Sequence, residues 1–341
     1  MLVTHLTLDT LAAWLHGLPP GPPGEWHGEG AVVILDLDLD LDLDGSSGPA
    51  PVLHAGLAAV VVGTTRAPSS EAPPAASACD VLVHPDDPVL SSIAAAVEEH
   101  PIAATTLAGL LRGSEQRTLD DGLLVESAAY SSLQSGPEFA KWRGTRPSRQ
   151  RAASGPAVLV ERVGAMLRIT LNRPDVRNAL DTAMRDQLVE AFRLPAVDPS
   201  ITEVHLAGAG AAFCAGGDLD EFGSFSDAAS AHVVRLQQSV GRAIAAVADR
   251  VTAHLHGACA GSGIELSAFA HRVVADPATR ISLPEVSLGL IPGAGGTVSL
   301  PRRIGRHRTA RLALSGESID ATTALAWGLI DAIEGTTTAR R

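Results

Sequence analysis

The segment that decides the fold of this chain is HGACAGSGIEL, residues 256–266, in which a glycine-rich loop runs directly into Glu265. A second glutamate, Glu285, stands in LPEVSLG, residues 283–289. Glycine allows a bare backbone N–H to approach a ligand oxygen closely, and two carboxyl groups can take up and deliver protons. With FCAGGDL, residues 213–219, the segments offer two backbone donors and two acids, a set that suits chemistry beside a thioester carbonyl.

Four motifs, in their order along the chain, resemble those of the enoyl-CoA hydratase/isomerase (crotonase) family. They are the three segments above and IPGAGGT, residues 291–297. The resemblance covers about residues 157–333 and includes LNRP at 171–174 and AWGLID at 326–331. It implies an α/β fold, a crotonase-like spiral of repeated ββα units, preceded here by an α/β N-terminal extension. Members of the family catalyse hydration, isomerisation, hydrolysis, dehalogenation and carbon–carbon bond chemistry.

The same resemblance assigns roles to the residues of these motifs. The N–H groups of Gly217 and Ser262 form the implied oxyanion hole, and Glu265 and Glu285 form the implied acid pair. Ser262 departs from the glycine that is usual at its position, and its hydroxyl adds bulk. We assign Glu285 to the proton given to the α-carbon and Glu265 to the attacking water. Because isomerases of the family often keep only one acid, the pair favours hydration of a 2-enoyl-CoA.

Coenzyme A is expected as part of the substrate, with no permanently bound cofactor and no metal. Arg177 matches a family position that commonly carries a cation near the adenine-nucleotide phosphates, although a surface arginine at a helix start is equally compatible. Asp218 is expected to support the Gly217 turn or to lie near the nucleotide. The acyl pocket is expected within residues 221–238. The predicted coenzyme A-binding residues are Arg177, Ala215, Asp218 and Leu219.

Two other readings of the site stay open at this stage. The first is an enoyl-CoA isomerase, an acyl-CoA hydrolase or another enolate-forming member of the family. The second is a non-catalytic acyl-CoA-binding subunit, which is favoured if the Ser262 side chain blocks the oxyanion hole. A panel of acyl-CoA substrates discriminates these readings, because only a hydratase adds water to the enoyl group.

Composition limits the classes of partner. The formal net charge of −12 disfavours nucleic acid, whose binding requires a clustered basic surface. Three widely separated cysteines provide no disulfide framework and no Cys-x-x-Cys metal pair. No basic, then apolar, leader stands at the N-terminus, and no apolar run reaches the roughly 18 residues of a membrane span. We therefore expect a cytoplasmic protein that binds acyl-CoA and no membrane.

Residues 1–150 differ from residues 151–341 because proline-rich breaks interrupt them, and we predict a domain boundary between the two parts. Proline-rich breaks at 18–24 and 67–74 predict turns or loops. A Leu/Asp alternation at 35–44 places every aspartate on one face if the backbone is extended. It indicates either a row of calcium-binding carboxylates or a solvated strand end. The second is favoured because the ligands of a calcium ion must converge on one point.

The elements of the extension follow an α/β pattern that also occurs in the catalytic part. This likeness suggests a degenerate, truncated copy of the catalytic fold, and an unrelated α/β cap is the alternative. The predicted elements are strands at 31–34, 57–62, 81–83 and 101–106 and a helix at 89–99. In the catalytic part we predict strands at 157–162, 166–171, 204–207 and 251–254 and helices at 182–192 and 230–248.

Residues 118–149 form a predicted helical segment that resembles the C-terminal tail of the family, although it precedes the catalytic part. The sequence given stops soon after the AWGLID motif, where family members usually continue. Our hypothesis is that this segment packs where that tail would lie, in a permuted chain or a fused pair with an inactive first copy. The resemblance also implies a homo-trimer or hexamer.

Overall fold

The extension contains a four-stranded parallel sheet. The computed structural model describes residues 4–6, 31–38, 53, 57–67, 74–146, 155–225 and 227–335. The strands are β1 (Thr4–Leu6), β2 (Val32–Asp36), β3 (Val60–Thr64) and β4 (Val81–Val83), paired in that order. β3 is buried along its whole length, as is typical of a parallel sheet covered on both faces. Residues 39–44 of the Leu/Asp alternation and the break at 18–24 lie outside the described residues.

Four helices follow this sheet. They are α1 (Val89–Glu99), α2 (Pro101–Arg112), α3 (Leu119–Gln134) and α4 (Pro137–Gly144). The strand predicted at 101–106 is wrong, because these residues begin α2. Proline is favoured in the first turn of a helix, where its missing N–H costs nothing, and the buried positions 103, 104, 107, 108 and 111 recur at helical spacing. The helix at 89–99 is confirmed.

In the described residues the catalytic part contains nine strands. They are β5 (Val158–Val163), β6 (Met166–Leu171), β7 (Glu203–Gly208), β8 (Val251–Leu255), β9 (Ala258–Ala260), β10 (Arg272–Ala275), β11 (Arg280–Ser282), β12 (Ile319–Asp320) and β13 (Ala332–Ile333). Six of them form a sheet with the order β13-β10-β8-β7-β6-β5, in which all neighbours are parallel except the β5–β6 hairpin. The other three form a sheet with the order β12-β11-β9.

The helices of the catalytic part cover these sheets. They are α5 (Thr182–Val197), α6 (Ala228–Gln237), α7 (Val240–Ala245), α8 (Ser262–Ser267), α9 (Gly296–Ser315) and α10 (Ala321–Trp327). The single helix predicted at 230–248 is wrong. Gln238 leaves helical geometry with ψ at 42°, and the Ser239 side chain caps a new helix by accepting from the N–H of Arg242. In the described residues no helix is long and apolar enough to cross a membrane.

The extension packs directly on the catalytic part. Helix α9 contacts α1, α2 and α3, and apolar residues of both parts form one buried cluster. Arg306 of α9 donates to the carbonyl oxygen of Cys79 at 2.6 Å, and Arg311 pairs with Asp87 at 2.7 Å. The described part of the 118–149 segment therefore lies on its own catalytic part. The boundary at residue 150, the degenerate-copy origin and the replacement of the family tail stay predictions.

Candidate active site

Three chain segments meet at Gly261, between β9 and α8. Gly261 has a φ of 48°, a left-handed conformation that favours glycine. A Cβ atom at this position would collide with Oε1 of Glu285 and lie 3.4 Å from the Cα atom of Gly216. Only glycine therefore lets the 256–266 loop lie between the 213–219 loop and the Glu285 carboxyl group.

Two main-chain N–H groups at this junction are available to a ligand. Leu180 donates to the carbonyl oxygen of Gly216 at 2.8 Å, and Asp218 donates to that of Leu180 at 2.9 Å. These bonds flank Gly217, whose N–H has no main-chain acceptor among the described residues. Ser262 is the first residue of α8, where an N–H has no acceptor within the helix. The Ser262 hydroxyl lies 3.7 Å from Sγ of Cys214.

Glu265 and Glu285 are both buried, and their hydrogen bonding differs. Glu265 is 2% exposed, and its Oε2 accepts from the N–H groups of Ala294 at 2.8 Å and Gly296 at 2.9 Å. Glu285 is 8% exposed and begins a short 3-10 turn, and its Oε2 has no partner among the described residues. The two N–H donors favour the carboxylate form of Glu265 and so offset part of the effect of burial on its pKa, whereas nothing comparable holds the charge on Glu285 Oε2.

Burial raises the pKa of both acids. The pKa of Glu265 lies well above its ordinary 4.5 because of burial, with the charges of Glu285 and Glu126 adding to the effect. Burial likewise raises the pKa of Glu285 to about 7, against hydrogen bonding to its own backbone, and the Glu126 charge adds to the increase. At least one of the pair is therefore expected to keep a proton near neutral pH, as a general acid must.

The raised pKa of Glu285 predicts that the free energy of unfolding falls as pH rises. A folded-state pKa above the unfolded value means that the native protein binds more protons between the two values. We expect the free energy of unfolding to decrease from about pH 4.5 to pH 7 because of Glu285. Urea denaturation at a series of pH values measures this slope. Glu285→Gln should make this slope shallower, since Glu265 and Glu126 still contribute, and an unchanged slope in that variant would show that Glu285 has no part in it.

A cavity of about 190 Å³ brings the four predicted catalytic residues together. Its lining includes Gly217, Ser262, Glu265 and Glu285. Residues 221–238, the predicted acyl pocket, also contribute, among them Phe222, Phe225 and Arg235. The lining is mainly apolar around a few convergent polar groups, an arrangement typical of a small-molecule site.

Of the four predicted coenzyme A-binding residues, only Asp218 lines this cavity. It pairs with Arg173 at 2.9 Å and accepts from the N–H of Asp220 at 3.1 Å, so it supports the turn that follows Gly217. Arg177 adopts a left-handed conformation, with φ at 53°, and its carbonyl oxygen accepts from the N–H of Ala215 at 2.9 Å. The coenzyme A roles of Arg177, Ala215 and Leu219 stay predictions.

Helix α3 of the extension supplies a wall of the cavity that the sequence analysis missed. Its contributing residues are Leu123, Glu126, Ser127, Tyr130 and Gln134. The available signal was a glutamate on the apolar stripe of this helix, three residues after Leu123 and four before Tyr130. Such a position is unusual for an acid, because burying an unpaired carboxylate is costly.

An arginine of the catalytic part holds this wall in place. Arg235 of α6 lies over the ring of Tyr130, 4.8 Å from its centroid, and donates to the Ser127 hydroxyl at 3.2 Å. The Ser131 hydroxyl donates to the carbonyl oxygen of Ala228 at 2.8 Å. Helices α3 and α6 are thus joined by a cation–π contact and hydrogen bonds beside the cavity.

The thiols near the site serve packing. Cys214 and Cys259 are buried and lie opposite each other in an isolated parallel β-bridge. Burial raises the pKa of both thiols, which disfavours the thiolate needed in a nucleophile. His256 lies 3.1 Å from the carbonyl oxygen of Gly210, a contact that fits a structural histidine.

Comparison with known proteins identifies the family of the chain. A family model described as enoyl-CoA hydratase/isomerase matches residues 161–338. The 2,3-dehydroadipyl-CoA hydratase of Escherichia coli K12 is 38% identical over 173 residues, which are 51% of this chain and 67% of that protein. The mevalonyl-coenzyme A hydratase of Beauveria bassiana is 34% identical over 188 residues, 49% of this chain and 63% of that protein.

A solved structure shows the same fold. The enoyl-CoA hydratase from Thermoplasma volcanium GSS1 superimposes with a TM-score of 0.50 at 35% sequence identity, covering 53% of this chain and 72% of that one. The chain spans about two thirds of the length of the curated relatives it matches. Since the family model matches more than half of its residues, the chain belongs to the enoyl-CoA hydratase/isomerase family, with the crotonase fold.

Proposed function

We propose that this protein adds water to the double bond of a 2-enoyl-CoA thioester. The observation that carries the proposal is one cavity whose lining contains two buried glutamates together with Gly217 and Ser262, the residues that carry the two available N–H groups. The names of the relatives, hydratases of two acyl-CoA compounds, support a coenzyme A thioester as the substrate.

The hydrogen bonds of the two acids favour different roles, with Glu265 as the base on the water and Glu285 as the acid that protonates C2. Both main-chain donors to Glu265 fall on Oε2, which leaves Oε1 to accept from a water in the cavity. Proton transfer from that water to Glu265 accompanies attack of its oxygen on C3 of the enoyl group, and the double-bond electrons move to the thioester oxygen. The N–H groups of Gly217 and Ser262 would stabilise this enolate. Glu285 then gives its proton to C2, and the C=O bond re-forms.

The position of the Ser262 side chain favours an enzyme over a non-catalytic binding subunit. Its hydroxyl packs against Sγ of Cys214 at 3.7 Å, so the bulk that replaces the usual glycine is accommodated beside the 213–219 loop. The N–H of the same residue is thereby kept for a ligand. Coenzyme A binding without turnover would support the binding subunit instead.

Replacing Glu265 with glutamine tests the proposed role on the water. We expect kcat for hydration to fall by roughly 10²-fold or more, because the amide cannot accept the proton that the water loses. Loss of absorbance of the conjugated enoyl thioester, followed over a chain-length series, measures the rate. Glu161→Gln, an exposed glutamate on β5, is the matched control and should keep the parent rate. Unchanged hydration with lost binding in Glu265→Gln would make the residue structural.

A further inference from the structure

Two carboxylates accept the main-chain N–H groups at the start of helix α9, and successive N–H groups donate alternately to one and the other. Residues 294–297 present four consecutive main-chain N–H groups to the interior of the site. Those of residues 294 and 296 donate to Glu265, as described above. Those of residues 295 and 297 donate to Glu126 at 2.7 and 2.9 Å, and the Thr297 hydroxyl donates to it at 2.7 Å. Glu126 belongs to the extension, 169 residues earlier in the chain than Gly295.

Glu126 is placed as a member of the site. It is 2% exposed and lines the same cavity as Glu265 and Glu285. In the described residues no basic side chain forms an ion pair with it within 4.0 Å. Its charge is therefore stabilised chiefly by the Thr297 hydroxyl and the two N–H groups, and the charge of Arg235 adds to this effect.

We propose that Glu126 is a positioning residue of this site, holding the 293–297 turn, and through it the Glu265 carboxylate, in the geometry that the reaction requires. The proposal rests on the hydratase function inferred above. It also gives the N-terminal extension a part in the reaction, because the catalytic part by itself would leave the second pair of donors without acceptors.

The alternating pattern explains why one carboxylate does not suffice. Glu265 Oε2 already accepts two N–H groups, and the two groups between and beyond them require a second acceptor once they are buried. Without Glu126, all four N–H donors would compete for the Glu265 carboxylate, which would then lose its single orientation. Glycine at 296 completes the fit, because a Cβ atom there would lie 2.7 Å from Cγ of Glu265.

Glu126 also acts on the two acids through its charge. Burial raises its own pKa, and its charge contributes to the raised pKa of both Glu265 and Glu285. The other ionisable groups of the cavity wall are Tyr130 of α3, Arg185 of α5, Arg235 of α6, and Asp181, Asp218 and Glu221. Removing the Glu126 charge should therefore lower the pKa of both acids, and the alkaline limb of the rate profile should move to lower pH.

Glu126→Gln tests this inference, with Glu138→Gln as the matched control. Glu138 lies in α4 of the same extension and accepts the N–H groups of Ile102 and Ala103 at 2.7 and 3.0 Å, but it does not line the cavity. We expect kcat to fall about tenfold or more in Glu126→Gln, with KM within about threefold and the alkaline limb displaced to lower pH. Glu138→Gln should lose stability but keep the parent kcat and pH profile. Glu126→Asp, which keeps the charge, should restore much of the pH profile.

A second readout does not depend on activity. Side-chain carboxyl signals of the ¹³C-labelled full-length protein, assigned with Glu265→Gln and Glu285→Gln, report the titration of each acid. We expect Glu126→Gln to shift the titration of the remaining acids to lower pH. The proposal would be overturned if a folded Glu126→Gln kept the titrations and rate profile of the parent. It would also be overturned if kcat fell equally in Glu126→Gln and Glu138→Gln. If the parent protein hydrates no enoyl-CoA but Glu126→Gln shows the shifted titration, the proposed function alone is refuted.

Discussion

Glu285→Gln is expected to abolish turnover while affinity for coenzyme A stays within a few-fold of the parent. The acid serves a proton-transfer step and lies in the reaction cavity, so its loss removes an interaction made in the transition state. Glutamine has nearly the same volume and can fill the site beside Gly261, but it cannot give up a proton to carbon. The protein should therefore fold and bind its ligand normally.

Steady-state kinetics and calorimetric titration with coenzyme A separate the two effects. The Glu161→Gln control, remote from the cavity, should retain both activity and affinity. Turnover of Glu285→Gln within about tenfold of the parent would refute the assigned role. A joint loss of turnover and affinity would instead make Glu285 a residue that shapes the pocket.

Deleting residues 1–150 is expected to give aggregated or inactive protein. The extension covers apolar surface of the catalytic part: Gly122 packs on Val298, and Tyr130 packs on Gly293. Its removal would also open the cavity wall and leave two buried N–H donors at the start of α9 without acceptors. A contiguous exposed apolar patch beyond a few hundred Å² is rarely tolerated in solution.

Size-exclusion chromatography and the hydration assay on residues 151–341 check this expectation. Separately produced residues 1–150 added to the fragment should recover part of the soluble, active protein if the two parts complement each other. A soluble and fully active fragment would show that the extension is an independent appendage. It would also contradict the hypothesis that residues 118–149 replace the family tail, whereas the proposed trimer or hexamer requires a separate measurement of mass.

The sequence motifs grouped Gly217, Ser262, Glu265 and Glu285, and the structure places all four at one cavity, whereas their catalytic roles stay predictions. Gly217 lies in a short glycine-rich loop, and Ser262 and Glu265 begin the helix that follows another such loop. Glu285 meets them because Gly261 leaves room for its carboxyl group. The helix at 89–99 and the start of the helix at Thr182 also follow from local signals, apolar periodicity in one and an Asp181 cap in the other.

Long-range contacts account for what was missed. Residues 101–106 suit a strand by local pattern, but burial of an alanine and leucine stripe selects a helix. The proposed role of Glu126 rests on donors 169 and 171 residues away, so no local pattern could identify its partners. The break at Gln238 is likewise set by the separate packing of α6 against α3 and of α7 against α5.

The most direct test of the central claim is product analysis after incubation of the full-length protein with a 2-enoyl-CoA ester in H₂¹⁸O. Mass spectrometry of the intact thioester and its fragments locates the heavy oxygen. The proposed function predicts a 3-hydroxyacyl-CoA with ¹⁸O on C3, formed by the parent and not by Glu285→Gln. Migration of the double bond without ¹⁸O, release of free coenzyme A with ¹⁸O in the carboxylate, or unchanged substrate would contradict it.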